Sequence, residues 1–283
     1  MSRELPSFDL VVATVGRTDE LARFLGSLAA QGYPQARVLL VDQNDDERVA
    51  PVIASAAVDV VRLRSRPGLS RARNVALPHL EADVVAFPDD DCAYPPGLLE
   101  QLGERFADSP QLDGVTGRAE GFDGSVSPSW RTDPAQLDRE NLWNRAISFT
   151  IFLRRSVVAS VGAFDEGLGL GSGTPWHSAE EIDYLVRAVD GGAVVEYDPD
   201  LVVRHDVRVD TPAIGLRDGA SVGYVLRKHG YPARVVGRML VRPVGGLVRS
   251  LARRDLRAAR YQLATMSGRV RGYLGARRSK IAA

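Results

Sequence analysis

Four short apolar runs rich in β-branched residues, at 10–13, 38–41, 58–61 and 84–87, punctuate the start of the chain. Their apolar residues stand in near-continuous series instead of alternating, which is the habit of strands buried on both faces of a parallel sheet. Between them the period changes. Leu21, Phe24, Leu25 and Leu28 fall at i, i+3, i+4 and i+7, and helical patterns also cover 47–57, 69–80 and 96–107. Parallel neighbours need a crossover, and these helices supply it. The expectation is therefore an α/β fold, a doubly wound, mostly parallel sheet. Further on, 120–145 reads as an irregular excursion and 147–153 as strand-like. A Gly-rich loop at 167–173 precedes a helix over 179–190, with Ile182, Leu185, Val186 and Val189 on one face. Strand-like segments at 193–197 and 201–205 close the body, and the remainder reads as helical. The expected organisation is a sheet domain over 1–210 and a C-terminal helical extension over 211–283.

In open parallel sheets ligands bind beyond the carboxyl ends of the strands. Phe87-Pro88-Asp89-Asp90-Asp91 delivers three consecutive carboxylates to such an end. They repel one another unless a cation neutralises them, and hard oxygen ligands select Mg²⁺ or Mn²⁺. The same run also suits a solvated acidic turn ahead of the helix after Pro95-Pro96. No G-x-G-x-x-G follows the first strand and no G-x-x-x-x-G-K-[ST] is present, which disfavours dinucleotide enzymes and P-loop NTPases. Ser178-Ala179-Glu180-Glu181 reads as a capping box opening the 179–190 helix, a role that competes with base catalysis for Glu181. Cys92 beside three acids is a poor nucleophile. Trp143 and Trp176 read as packing residues before sugar platforms.

Thr14-Val15-Gly16-Arg17, then Asp42-Gln43-Asn44, Gly68-Leu69-Ser70-Arg71-Ala72-Arg73-Asn74, Asp89-Asp90-Asp91 and Glu180-Glu181 stand in an order and spacing that resembles the family-two glycosyltransferases of the GT-A fold, which is Rossmann-related. The resemblance covers about residues 8–205. It implies that Thr14, Arg17 and Asp42 hold the nucleotide base and ribose. It also implies that Gly68, Arg71, Arg73 and Asn74 lie at the nucleotide and diphosphate. Asp89 and Asp90 would orient ribose or metal-bound water, Asp91 would be the direct Mg²⁺ or Mn²⁺ ligand with Asp89, and His205 would complete that site. Glu181, with Glu180, stands where the family's catalytic Glu-Asp pair is found. Gln43-Asn44 replaces the commoner Asp-Gly-Ser. The absence of a Gln-x-x-Arg-Trp element points to one sugar per encounter. The implied activity moves a single sugar from a nucleotide-diphosphate donor to an acceptor hydroxyl, with inversion. The alternatives are a sugar nucleotidyltransferase, whose G-x-G-T-R-like loop is not supplied here, and a non-catalytic sugar-nucleotide-binding protein at a membrane.

Charge is unevenly placed. Residues 231–283 hold 13 Lys and Arg against Asp255 alone, while residues 1–230 hold 23 basic and 35 acidic side chains. The tail carries Leu256, Ala259, Leu263, Met266, Val270 and Tyr273 at helical spacing among arginines that include Arg277, Arg278 and, with them, Lys280. This pattern fits an anionic membrane face or a cap packed on the domain with a solvated Arg side. Pairing of two tails would give a homo-oligomer. The acidic body argues against nucleic acid. MSRELPSFDL holds no signal-peptide apolar region, so the expectation is a cytoplasmic chain, peripheral to the membrane, acting on a glycan or lipid-linked acceptor.

Overall fold

A computed structural model describes residues 4–127, 129–206 and 209–279, with side chains as far as 276. Lys280 and the side chains of Arg277 and Arg278 lie outside the described residues. The chain divides into two compact units, one of residues 4–67, 71–164 and 184–206, the other of residues 68–70, 165–183 and 209–279.

The first unit holds a sheet in the order β3-β2-β1-β4-β7-β5-β8-β6. Its strands are β1 (Phe8–Thr14), β2 (Ala36–Asp42), β3 (Asp59–Arg64), β4 (Val84–Ala86), β5 (Gly114–Glu120), β6 (Ala135–Gln136), β7 (Ile151–Arg154) and β8 (Val195–Arg204). β3, β2, β1 and β4 are mutually parallel, β7 runs antiparallel between β4 and β5, and β8 is parallel to β5. Leu10, Val11, Leu39 and Leu40 have no exposed surface, as strands covered on both faces require. The covering helices are α1 (Asp19–Ala29), α2 (Ala50–Ala54), most of α3 (Leu69–Ala76), α4 (Leu98–Asp108) and α5 (Arg155–Val161). Because β1 lies between β2 and β4, the direction of winding reverses there. In open sheets of this kind such a reversal is where ligands bind, beyond the carboxyl ends of the strands, here β1 and β4. Thr14 pairs in register with Asp42, and an isolated bridge from Ala13 to Asp89 extends the pairing to the acidic run.

Several expectations are corrected. The helix expected over 47–57 is confined to α2, and α3 gives way to a 3-10 turn at Leu77–His79, where Pro78 has no N–H to continue the ladder. The segment read as strand from 147 opens as a 3-10 turn, Ser148–Thr150, before β7. The two segments at 193–197 and 201–205 are one strand, β8. It runs through Pro199 while its ladder with β5 shifts register between Thr116 and Arg118. β5 escaped notice because Gly114 and Gly117 dilute its pattern. Both are glycine for packing, since a side chain at either would meet Leu153 or Leu201.

In the second unit, α7 (Pro212–Lys228), α8 (Ala233–Ala252) and α9 (Leu256–Ser279) pack together. α7 meets α9 through Gly215, Gly219 and Gly223 against Gly268 and Gly272. A methyl built on any of these would meet backbone or a side chain of the partner helix. Glycine lets the two backbones approach this closely. The expected apolar stripe of the tail is therefore not the packed face of α9: Ala259 is buried, but Leu256, Leu263 and Val270 are exposed. The start of α6 (Glu180–Asp190) also belongs to this unit.

Candidate functional site

At the carboxyl ends of β1 and β4, Asp89, Asp91 and His205 bring ligating atoms within 4.8 Å of one another. β8 supplies the histidine because Ala93 exchanges backbone hydrogen bonds of 2.8 and 3.0 Å with Arg204, which sets His205 beside Asp91. Phe149 stacks flat on the imidazole at 4.6 Å, and Nδ1 lies 2.8 Å from the Asp206 carbonyl, so the ring is held from two sides and turns Nε2 toward Asp91. The Nε2 to Asp91 Oδ1 distance is 3.1 Å. That oxygen is buried and accepts no aligned hydrogen bond among the described residues. A buried carboxylate oxygen left in this state suits a cation ligand, so the Asp89, Asp91 and His205 donors fit a divalent ion of the Mg²⁺ or Mn²⁺ kind.

Positive charge surrounds the acids. Arg17 Nη1 lies 2.6 Å from Asp90 and 2.7 Å from Asp91, Thr14 donates a 2.7 Å hydrogen bond to Asp90, and Arg23 donates to the Asp91 carbonyl. Burial pushes the Asp90 carboxyl above its ordinary value despite Thr14 and Arg17. Burial acts the same way on Asp91, but His205 and Arg17 outweigh it and hold that carboxyl low. Burial works against a charged His205, yet Asp91 and Asp89 prevail and raise it. Arg73 is 1% exposed, lies over Phe87 and Phe164, and sits 3.5 Å from Asp89. Ser148 donates to the same Asp89 oxygen at 3.3 Å.

Asp42 is fully buried and heavily engaged. One oxygen accepts from the Asn44 amide and side chain; the other accepts from Arg62 and forms an ion pair with Arg64 at 3.0 Å. Burial raises this carboxyl, but these partners together hold it below its ordinary value. Asn44 in turn accepts from Gly16, whose φ of +73° a side chain would disfavour. The residues that depart from the family pattern thus tie the β2 loop to the β1 turn. Asn74 spends its amide on the Phe164 backbone, donating at 3.0 Å and accepting at 2.7 Å, and Arg71 donates to the Pro67 carbonyl. Cys92 is buried, which together with the neighbouring acids pushes its thiol well up.

In the second unit, Gly68 at φ +138° leads into Leu69 and Ser70, which bond the Leu170 and Leu168 carbonyls at 2.8 Å. Glu180 is buried, and a methyl on Gly169 would stand 3.2 Å from its Oε2; Glu181 is half-buried. The first helical hydrogen bond runs from Asp183 N–H to Ala179. Ala179 therefore holds the cap position, one residue later than the capping box requires, and Glu181 is not the residue three positions in. Ala179 has φ +66°, which costs roughly 1–2 kcal/mol for a residue other than glycine. Strain thus stands immediately ahead of Glu180 and Glu181. Trp176 stacks on Tyr224 at 4.8 Å, and Trp143 donates to the Arg139 carbonyl, so both serve packing.

Sequence reading missed Ser148 and Phe149, which lay hidden in a segment that resembled a strand, and the contacts of Asp183 with the Lys228 ammonium and the His229 ring at 2.6 and 2.8 Å. The available signal for the latter was an acid on the apolar face of a helix. Two clefts of about 490 and 570 Å³ lie at the amino end of β1, and neither is lined by Asp89, Asp91 or His205.

Comparison with known proteins agrees with this geometry. A pre-mycofactocin glycosyltransferase of Mycobacterium tuberculosis is 30% identical over 189 residues, 61% of this chain, so the chain spans 38% of that relative's length. Glycosyltransferase AglE of Haloferax volcanii is 23% identical over 74% of this chain and 69% of its own. Among solved structures, the mannosyltransferase PcManGT of Pyrobaculum calidifontis, in complex with GDP-Man and Mn²⁺, matches with TM-score 0.68 at 15% identity, over 95% of this chain and 87% of its own. S. aureus TarS 1-349 in complex with UDP-GlcNAc matches with TM-score 0.59 at 17% identity, over 93% and 92%. These likenesses identify the fold as GT-A. The sequence model of glycosyl transferase family 2 matches residues 9–164, more than half of the chain, and the chain belongs to that family.

Proposed function

We propose that the chain transfers one sugar from a nucleotide-diphosphate donor to an acceptor hydroxyl, with inversion at the anomeric carbon. The acceptor is a lipid-linked saccharide or another envelope glycan precursor, met at an anionic membrane surface through residues 231–283. The observation that carries the reading is the Asp89, Asp91 and His205 donor set at the carboxyl end of a parallel sheet, with Asp91 Oδ1 buried and without an aligned hydrogen bond. GDP-Man with Mn²⁺ and UDP-GlcNAc, bound by the two structural neighbours, support the donor class.

A divalent ion held by Asp89, Asp91 and His205 would supply charge stabilisation to the departing diphosphate. Arg17, Arg71 and Arg73 add positive charge for the same purpose. Thr14, Asp42 and Asn44 shape the turn that receives the nucleotide, Gly68 permits the chain to turn close to it, and Asn74 keeps the Arg71–Arg73 helix against Phe164. Asp90, tied to Thr14 and Arg17, orients the donor side of the crevice. Glu181 accepts the proton of the acceptor hydroxyl. Glu180, buried against Gly169, positions its neighbour. Residues 1–210 form the transferase domain, and 211–283 form an extension whose α7 supplies the cation opposite Asp183.

The test measures nucleoside diphosphate release and sugar transfer with Mn²⁺, Mg²⁺ or chelator. Turnover is expected to vanish with chelator and return with either ion, and Asp91→Asn is expected to lower it about 10²–10³-fold. The Mn²⁺-dependent rise in melting temperature with nucleoside diphosphate should disappear in the same variant. Full turnover in chelator, or pyrophosphate exchange in place of diphosphate release, would overturn the reading.

A further inference from the structure

α9 packs through its glycines, so the apolar stripe on its other side is left in solvent. Leu256, Leu263, Val270 and Leu274 recur at i, i+7, i+14 and i+18 along about 27 Å of helix, and each is at least 39% exposed. α8 repeats the arrangement. Met239, Pro243 and Ser250 are buried on one side, while Val241, Val244, Val248 and Leu251 are exposed at i, i+3, i+7 and i+10 on the opposite side. Arg269 donates to the Met239 carbonyl and Gln262 packs at Gly246, so the two helices run antiparallel as a pair. Among the described residues, eight of the thirteen exposed large apolar side chains stand in these two stripes, which excludes scattered surface residues as their explanation.

The flanks settle which partner fits. Exposed Arg242 and Arg249 stand beside the α8 stripe, and exposed Arg260 and Arg271 beside the α9 stripe. The segment from 231 carries 13 basic residues against one acid. A second copy of this chain would bring two such cationic faces together, and like charge opposes that pairing. A bilayer with anionic headgroups satisfies both features, taking the apolar stripes at the acyl boundary and the arginines at the phosphates. No helix among the described residues is long and apolar enough to cross a membrane, so the fit is to the surface plane.

We infer that α8 and α9 form an interfacial docking element for an anionic lipid bilayer, with Val241, Val244, Val248 and Leu251 on one helix and Leu256, Leu263, Val270 and Leu274 on the other as the inserted residues. The inference deepens the proposed function by naming the surface that would meet a lipid-linked acceptor, and only its purpose rests on that reading.

The test is co-sedimentation of the full chain with phosphatidylcholine vesicles, with and without about one-third phosphatidylglycerol. Wild type is expected to bind the anionic vesicles at least about tenfold more strongly than the neutral ones, and high salt is expected to weaken that binding. The Val248→Glu, Leu263→Glu double variant should lose about tenfold in vesicle binding while keeping the wild-type melting temperature and donor hydrolysis in solution. Wild type left in the supernatant, a folded double variant that binds as wild type does, or a stable dimer that these substitutions dissolve would each overturn the inference. Vesicle binding as expected from a protein with no donor turnover would leave the docking element standing and remove the transferase reading.

Discussion

Asp183 has no exposed side-chain surface, yet Lys228 Nζ stands 2.6 Å from it and His229 Nε2 stands 2.8 Å from it. Lys228 also pairs with Asp165 at 2.6 Å, so one ammonium joins the Gly-rich loop to the first turn of α6. Removing a partner from a buried pair leaves an uncompensated charge, and Lys228→Met is expected to cost about 3 kcal/mol in urea unfolding. Burial disfavours the ammonium, but Asp183 and Asp165 outweigh it and raise the Lys228 pKa above 10.5. The sign follows from linkage: the stabilisation is complete below 10.5 and is lost as pH rises through the raised value. The gap between wild type and variant should therefore hold steady through neutral pH and close on the alkaline side. A gap unchanged in strong alkali would refute the assignment. Neither partner was legible in the sequence, because a lysine at the end of one helix carries no local sign of an acid 45 residues earlier. The acids at 89–91 were legible for the opposite reason, since a short buried strand announces where its carboxyl end falls.

At the scale of elements, the same distinction separates what periodicity reveals from what it hides. β1 and β2 follow directly from runs of buried residues, and α1 from a four-residue stripe; β3 also follows from its apolar run, but as the edge strand it is only half-buried instead of covered on both faces. β5 and the α7–α9 contact depend on glycine, and glycine contributes no hydrophobic signal. In the tail, the stripe of Leu256, Leu263 and Val270 left a packed face and a membrane face both open, and the packing went to Gly268 and Gly272. Such close contact has a sharp consequence. A methyl on Gly272 overlaps the Ala220 backbone, and one on Gly223 overlaps Arg269, so Gly272→Ala and Gly223→Ala should each force the helices apart. The expected loss is about 1–3 kcal/mol, or more where the backbones cannot yield. Gly237→Ala in α8, with open space around it, is the control and should be neutral or slightly stabilising. Differential scanning calorimetry decides; equal melting temperatures for all three variants would show that α7 and α9 do not pack this closely.

For the molecule as a whole, the second unit joins residues 165–183 to the helices after 209, although the chain between them builds β8 of the sheet. One face of α7 makes that junction. Ser221 accepts the Ser178 N–H at 3.1 Å, Tyr224 stacks on Trp176, and Lys228 pairs with Asp165 and Asp183, at spacings of three and four residues along the helix. The segment so held is the one that ends in Glu180 and Glu181. A chain cut after Asp210 would keep the sheet and the acidic run, but it would strip every one of these contacts and take Lys228 and His229 away from Asp183. Proteinase K should then cleave within 165–178, mapped by mass spectrometry, where the full chain resists. Sugar transfer should fall by at least about hundredfold, the scale of loss that follows when a reacting group shifts by an ångström. Nucleoside diphosphate binding with Mn²⁺, proposed above for the Asp89, Asp91 and His205 donors, is expected to survive the cut, since all three residues remain. A truncated chain that resists the protease through 183 and transfers sugar at the full rate would make residues 1–210 self-sufficient and remove the helical extension from the transfer reaction.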